Sequence, residues 1–384
     1  MKVNGYGVNN NRKPSGVNSS SRKPSGKGRK AANKNSKQLK IMLIALGVLV
    51  VGLVAIGVVI YGQLTNDDYT SLFVQTSAPA AEDIDPAVSG VQTQAPAESR
   101  ITYNGKTYEK NKNIVNIVFL GIDSTTERDI GNHSDMIIVC AVDTVTRKAT
   151  LISIPRDTWT DISKVDTKTG KISEMTQNRI NTAYLFGGGP NKYGASNAKA
   201  CVQKFLEREI ELKTKLNFTL DIPVPFFVSI DMDGITNITN AVGGVEVKLD
   251  STIPDVGKKG QTVNLKGLKA ETYLRDRHNT NGADIGRAAH QRDFMIQLAK
   301  KIKGMNAVEA VTKLWDEFNT YGKTDLNLDQ ALAFAKILNN VDIDAIEQLA
   351  VPGEVGNVGD ASVILHDEAG TLDLLLGVYY NEIQ

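Results

Sequence analysis

The apolar residues divide this chain into unlike stretches. Residues 1–40 contain almost no apolar cluster, whereas residues 41–60 are twenty consecutive positions without a charge, rich in Leu, Ile, Val and Gly. At 1.5 Å per residue a helix of that length spans a hydrocarbon core of roughly 30 Å. We therefore expect one transmembrane helix over 41–62, with Tyr61 at an interface. A cleaved signal peptide fits less well, because the apolar run is long and the Ala78-Pro79-Ala80 site lies far beyond it. Residues 65–99 then show little periodicity and read as a flexible stalk of roughly 30 Å.

Regular patterning starts near residue 101. Residues 101–108 alternate about Asn104-Gly105, a two-residue hairpin signal. Continuous apolar runs at 114–120, 136–142 and 149–154 predict buried strands, as do 224–230, 245–249 and 346–351. Helical spacing appears over 197–211, 287–302 and 328–338. Strands interleaved with helices imply an α/β fold, a three-layer α-β-α sandwich about a central mixed sheet. One domain is expected over 111–384, with 63–110 as linker carrying the hairpin.

Charge sharpens the division. The chain has 44 Lys and Arg against 43 Asp and Glu; eleven of the basic residues, and no acid, fall in 1–40. Beyond residue 40 the balance is thus 33 basic against 43 acidic. A basic N-terminal flank orients the span with the tail in the cytoplasm, a type II topology. The tail repeats Arg-Lys-Pro-Ser-Gly at 12–16 and 22–26, a composition that buries nothing and is expected to be disordered. Its natural partner is the anionic inner leaflet, and no nucleic-acid reader accompanies it. Cys140 and Cys201 are too few for a disulfide framework and read as buried thiols, and the four His lack zinc-ligand spacing.

Three clusters concentrate the candidate chemistry. Asp123 follows a strand and a glycine, and Asp135 comes twelve residues later; carboxylates at neighbouring strand ends suit Mg²⁺ beside phosphate oxygens. Taken singly, each reads better as a cap, Asp123 of a turn and Asp135 of a strand start. Arg156, in Ile154-Pro-Arg-Asp157, sits at another strand's end, where an ordinary surface pair is the plain alternative. The densest cluster is Leu274-Arg275-Asp276-Arg277-His278, then Asp284, Arg287 and Gln291. Arg275 and Arg277 would share a face if extended, and Arg287 and Gln291 share one on a helix that Asp284 would cap. Arginines so gathered repel unless an anion sits among them, and guanidinium forks match pyrophosphate oxygens. A solvated charged stretch is the plain alternative.

In combination these segments resemble the LytR–CpsA–Psr family of cell-wall polymer transferases. The matching stretches are residues 116–124, 134–137, 151–158, 179–184, 241–247, 265–268 and the 275–291 cluster, in the family's order over roughly residues 113–304. His290 departs from the Arg often found before Gln291, and Asn240 from a common acid. The resemblance implies transfer of an anionic glycopolymer from an undecaprenyl (pyro)phosphate carrier to the 6-hydroxyl of N-acetylmuramic acid in peptidoglycan, making a phosphodiester. It implies roles too: Asp123 and Asp135 for Mg²⁺, Arg156, Arg275, Arg277, Arg287 and Gln291 for the pyrophosphate, and Asp284 for the acceptor hydroxyl. The apolar carrier would need a tunnel between the sheet and a covering helix. Such an enzyme belongs at the cell membrane of a Gram-positive bacterium, its domain outside. A pyrophosphatase acting on the same carrier and a non-catalytic wall-sensing regulator are the alternatives.

Overall fold

The uninterrupted apolar runs become the middle of a sheet. In this computed structural model the described residues are 100–123, 132–207, 218–280, 284–305, parts of 313–340, and 341–383. The chain enters them as a hairpin of β1 (Arg100–Tyr103) and β2 (Lys106–Lys110). Asn104 and Gly105 take positive φ of 51° and 76°, the conformation a tight primed turn requires. The hairpin belongs to the folded unit, not to a linker before it, because Ile101 is buried in the core.

Three long strands follow: β3 (Ile114–Asp123), β4 (His133–Asp143) and β5 (Ala149–Ser153). Next come a polar hairpin, β6 (Trp159–Val165) and β7 (Ile172–Arg179), and helices α1 (Thr182–Phe186) and α2 (Gly194–Glu207). The expected helix over 197–211 thus starts earlier, and 208–211 lie outside the described residues. Then β8 (Phe226–Asp231), α3 (Gly234–Ala241), β9 (Val245–Lys248), β10 (Thr262–Leu265), α4 (Leu268–Arg275) and α5 (Asp284–Lys303) succeed one another. The last elements are β11 (Gly322–Thr324), β12 (Glu347–Ala350), β13 (Gly353–Val358), β14 (Ala361–His366), α6 (Glu368–Tyr379) and β15 (Tyr380–Glu382). Of the helix expected over 328–338, Leu328 lies outside the described residues, while Ala333, Phe334, Ile337 and Leu338 are helical and buried.

The central sheet has the order β11-β8-β3-β4-β5-β12. β3 pairs parallel with β8 and antiparallel with β4, and β5 pairs parallel with β12, so the sheet is mixed. Successive residues of β3 point to opposite faces. Ile117 and Phe119 join one apolar core with α3, α4 and α5, while Val118 and Leu120 join a second with α1, α2 and α6. Helices therefore cover both faces. Cys140 and Cys201 fall in different cores across the sheet and are free thiols; burial pushes the Cys140 thiol up to about 12. Among the described residues no helix is long and apolar enough to cross a membrane; the expected span at 41–62 lies outside them.

Candidate active site

The site forms where β3 and β4 run out on the face carrying α4 and α5. A cavity of about 350 Å³ is lined there by Asp123, Asp135, Arg275, Arg277, Arg287 and Gln291, together with Asp276 and His278. Asp123 is the last residue of β3, beyond an irregularity in register between Gly121 and Ile122. A side chain at Gly121 would put its Cβ 2.8 Å from Met232 Sδ and from Met136 Cβ, so only glycine lets Met232 lie against the strand. Asp135 is the third residue of β4, close beside Asp123 because Asp123 pairs with His133.

Arg275 and Arg277 do face one cavity, but not as an extended pair. Arg275 ends α4, and Asp276 turns the chain into an extended conformation, with φ −65° and ψ 131°. Arg287 and Gln291 come from one face of α5, both nearly buried, as i,i+4 spacing requires. Gln291 Nε2 donates to the carbonyl of Leu274 at 3.4 Å, tying α5 to the end of α4. Asp284 opens the described part of α5, and its side chain lies outside the described residues.

Arg275 needs no guest anion, because carboxylates already neutralise it. Arg275 meets three: Asp123 and Asp233, each by a hydrogen bond of 3.0 Å, and Glu271 at 3.0 Å from its Nε. Burial alone would lower the Arg275 pKa, but Asp123, Glu271 and Asp233 outweigh it and the net shift is upward. Asp233 is shifted upward, first by burial and then by its neighbour Asp231, against the pull of Arg275. Repulsion among cations is therefore no argument for a bound anion; convergence of the groups on one cavity is.

Arg156 stands behind Asp135, outside the cavity wall. Its Nη1 donates to Asp135, and its Nε lies 3.3 Å from Asp157, which also faces Arg179 at 3.6 Å. Asn181 adds a 3.3 Å hydrogen bond to the other oxygen of Asp135. Arg277 is the loosest of the set: 39% exposed and 3.9 Å from Asp135. It is the arginine best able to swing onto an incoming anion.

Below the charged cavity lies an apolar one of about 40 Å³, between the sheet and helices α3 and α5. Phe119, Met136, Ile235, Phe294 and Leu298 contribute to it, and Met232 and Leu274 line both cavities. Sequence reasoning missed Asp233, whose position depends on a fold contact. Glu271 carried a signal, since it precedes Arg275 by four residues on one helix face. His290, one residue before Gln291, stacks on Tyr273 with ring centroids 4.4 Å apart and hydrogen-bonds Asp250 at 2.8 Å. In place of an anion contact it anchors α5 to the segment after β9. Among the described residues no group of three or more His, Cys, Asp or Glu could hold a metal ion.

Known proteins share this arrangement of elements. The model of the LytR_cpsA_psr family matches residues 83–373. A polyisoprenyl-teichoic acid–peptidoglycan teichoic acid transferase, TagU, of Enterococcus faecalis is 29% identical over 248 residues, covering 62% of this chain and 71% of the relative. A TagU of Halalkalibacterium halodurans is 29% identical over 241 residues, covering 62% and 69%. Among solved structures, B. subtilis TagV superposes with a TM-score of 0.52 at 21% identity, covering 70% of this chain and 96% of its own. TagT bound to LIIa-WTA gives 0.51 at 18%, covering 75% and 98%. These structures speak for the fold.

Proposed function

The chain belongs to the LytR–CpsA–Psr family, and on that premise we propose that it transfers an anionic wall glycopolymer from a polyprenyl (pyro)phosphate carrier to peptidoglycan. One observation carries the reading: a cavity walled by arginines and carboxylates adjoins an apolar one, with Met232 and Leu274 as their common wall. A pyrophosphate headgroup on a hydrocarbon tail has that same division. The apolar cavity is too small for a polyprenyl chain as it stands, but its methionines repack at low cost.

In this reading the acceptor is the 6-hydroxyl of N-acetylmuramic acid. Its oxygen forms a bond to the phosphorus bearing the polymer's first sugar, the P–O bond to the carrier breaks, and polyprenyl phosphate leaves. The hydroxyl proton passes to a base, for which Asp284 is our candidate. Arg277, Arg275 and Arg287 stabilise the charge that develops on the phosphoryl oxygens, with Gln291 as a further donor. Arg156 acts one layer back by fixing Asp135. Positioning and charge neutralisation suffice for phosphoryl transfer. Asp123 and Asp135 fit Mg²⁺, which takes one or two carboxylates plus phosphate oxygens, and the ion would add charge neutralisation. The basic tail and the span at 41–62 would place the site at the outer membrane surface, where a lipid-linked donor is met.

The test is reconstitution of the full chain in liposomes with a lipid-linked polymer and peptidoglycan. Polymer joined to glycan is the expected product, and Arg277→Ala should reduce the rate by at least tenfold. Release of free phosphorylated polymer at the same rate with and without acceptor would make the protein a pyrophosphatase instead. Full activity in excess chelator would remove the metal from the scheme.

A further inference from the structure

A second cleft, of about 230 Å³, opens between the β6–β7 hairpin and β14. Trp159, Asp161, Gln177, Leu365, His366 and Glu368 line it. Trp159 is partly exposed and donates from Nε1 to Gln177 Oε1 at 3.4 Å, which turns the amide of Gln177 toward the indole. Leu365 is 47% exposed. One aromatic plate, one aliphatic side chain and a ring of amide, carboxylate and imidazole groups make a wall of particular chemistry. A pyranose presents C–H groups on its faces and hydroxyls at its rim. The indole packs against such faces, while amide and carboxylates accept or donate at the rim. The volume lies below the roughly 300 Å³ at which pockets for drug-sized ligands begin, which limits the occupant to a sugar unit or two.

Charge selects which sugar. The wall carries Asp161 and Glu368 and no Lys or Arg. A phosphate-rich donor polymer would meet like charge there, an uncharged N-acetylated glycan would not.

Position relates the cleft to the charged cavity. Trp159 follows Arg156 by three residues, so their Cα atoms are at most roughly 10 Å apart. The intervening segment is tied down at several points. Thr158, fully buried, bonds through Oγ1 to the carbonyl of Pro155 at 2.6 Å. The amide of Ile364 donates to Asp157 O at 2.8 Å, and Arg179 Nη2 donates to Ser362 O at 2.9 Å. Arg156 bonds Asp135 of the charged cavity and Trp159 walls the cleft, so one braced segment links the two walls.

We propose that this cleft is the acceptor subsite, binding an N-acetylhexosamine unit of the peptidoglycan strand; the assignment of acceptor rests on the transferase reading above. The full chain in detergent micelles would be titrated with a tetrasaccharide of alternating N-acetylglucosamine and N-acetylmuramic acid whose lactyl carboxyls are amidated, as they are where peptide is attached, so that the probe is uncharged. The expected result is saturable binding that Trp159→Ala weakens at least tenfold, with Glu368→Gln, a change of near-equal volume on an exposed side chain, giving a smaller loss. Affinity for a polyprenyl pyrophosphate should stay unchanged, and in the transfer assay the acceptor KM should rise with kcat preserved. Equal glycan affinity in wild type and both variants would overturn the proposal, as would a wild type that binds no glycan. A matching loss of donor affinity would also overturn it, by placing the donor there. Wild-type glycan binding without polymer transfer would sink the transferase reading and leave a glycan site. Normal transfer by variants with an unaltered KM would leave the transferase and remove the cleft.

Discussion

Arg275→Ala should act on the fold as well as on the chemistry. The guanidinium lies 3.0 Å from Asp123, Asp233 and Glu271, so its removal leaves three carboxylates facing a vacated, partly buried space. Asp123 is 15% exposed and Arg275 29%, between the exposed pairs worth about 0–1 kcal/mol and the buried pairs whose disruption costs about 3–5 kcal/mol. Asp233, at 46% exposed, is well screened and adds little. An intermediate figure of about 2–3 kcal/mol follows for the whole replacement. For a domain this size each kcal/mol moves the Tm by about 2–4 °C, so a fall of about 4–12 °C is expected. Part of the loss is residual repulsion, which Asp123→Asn in the Arg275→Ala background should return. Thermal unfolding of wild type, both single variants and the double variant gives the coupling directly. A coupling within about 0.5 kcal/mol of zero would refute the reasoning, since that is the range expected of independent sites. Were Arg275→Ala as stable as wild type and inactive, the carboxylates would be ornaments to a purely catalytic arginine.

Two other sites yield stability predictions of opposite sign. Arg292 is 8% exposed; its Nε and Nη1 find no hydrogen-bond partner among the described residues, and burial lowers its pKa. Arg292→Met should keep the packing and raise stability by about 1–3 kcal/mol in a denaturation curve, and a drop would show that the guanidinium is held by something bound in solution. Asp143 is buried at the end of β4 and accepts from Val145 N, Thr146 N and Asn111 Nδ2. Burial pushes its pKa up, but these donors outweigh it and the net shift is downward. Its contribution is therefore complete above the unfolded carboxylate value of about 3.9 and is lost as pH falls through the lower folded value. Asp143→Ala should cost about 1–3 kcal/mol at pH 7, and the difference from wild type should shrink below pH 4; a gap constant across that range would contradict the assignment.

What the sequence disclosed depended on burial. β3, β4 and β5 stood out because both their faces are covered and their residues run apolar without a break. The β6–β7 hairpin did not, because β7 is largely exposed and polar along Ile172–Arg179. Its turn had a signal in Gly170, which takes a φ of 78°. Helix α4 hid its apolar side in three residues, Ala270, Tyr273 and Leu274. Because α4 went unseen, Arg275 and Arg277 read as an extended pair. They reach one cavity through a helix end and a sharp change of backbone direction instead. The arginines of the charged cavity were visible because they cluster in sequence at 275–287. Asp233 was missed and the pairing of Asp123 with Arg275 was not foreseen, because these carboxylates approach Arg275 from 42 and 152 positions away.

The strand β15 closes the described chain in a way that its sequence position conceals. It lies against β2, whose other edge holds β1, so Arg100 and Asn381 both flank Glu109. Two strand spacings separate them, about 10 Å. Lys106 and Glu382 meet at 2.8 Å across 276 residues of sequence, and Ile383 N donates to Thr107 O at 2.9 Å. The beginning and end of the described domain thus form one small clasp. A fluorophore at each end would report a single short distance, and a protein fused after Ile383 would emerge beside whatever precedes Arg100. Trimming a handful of residues from the far end would bare the edge of β2 and loosen the first hairpin of the fold.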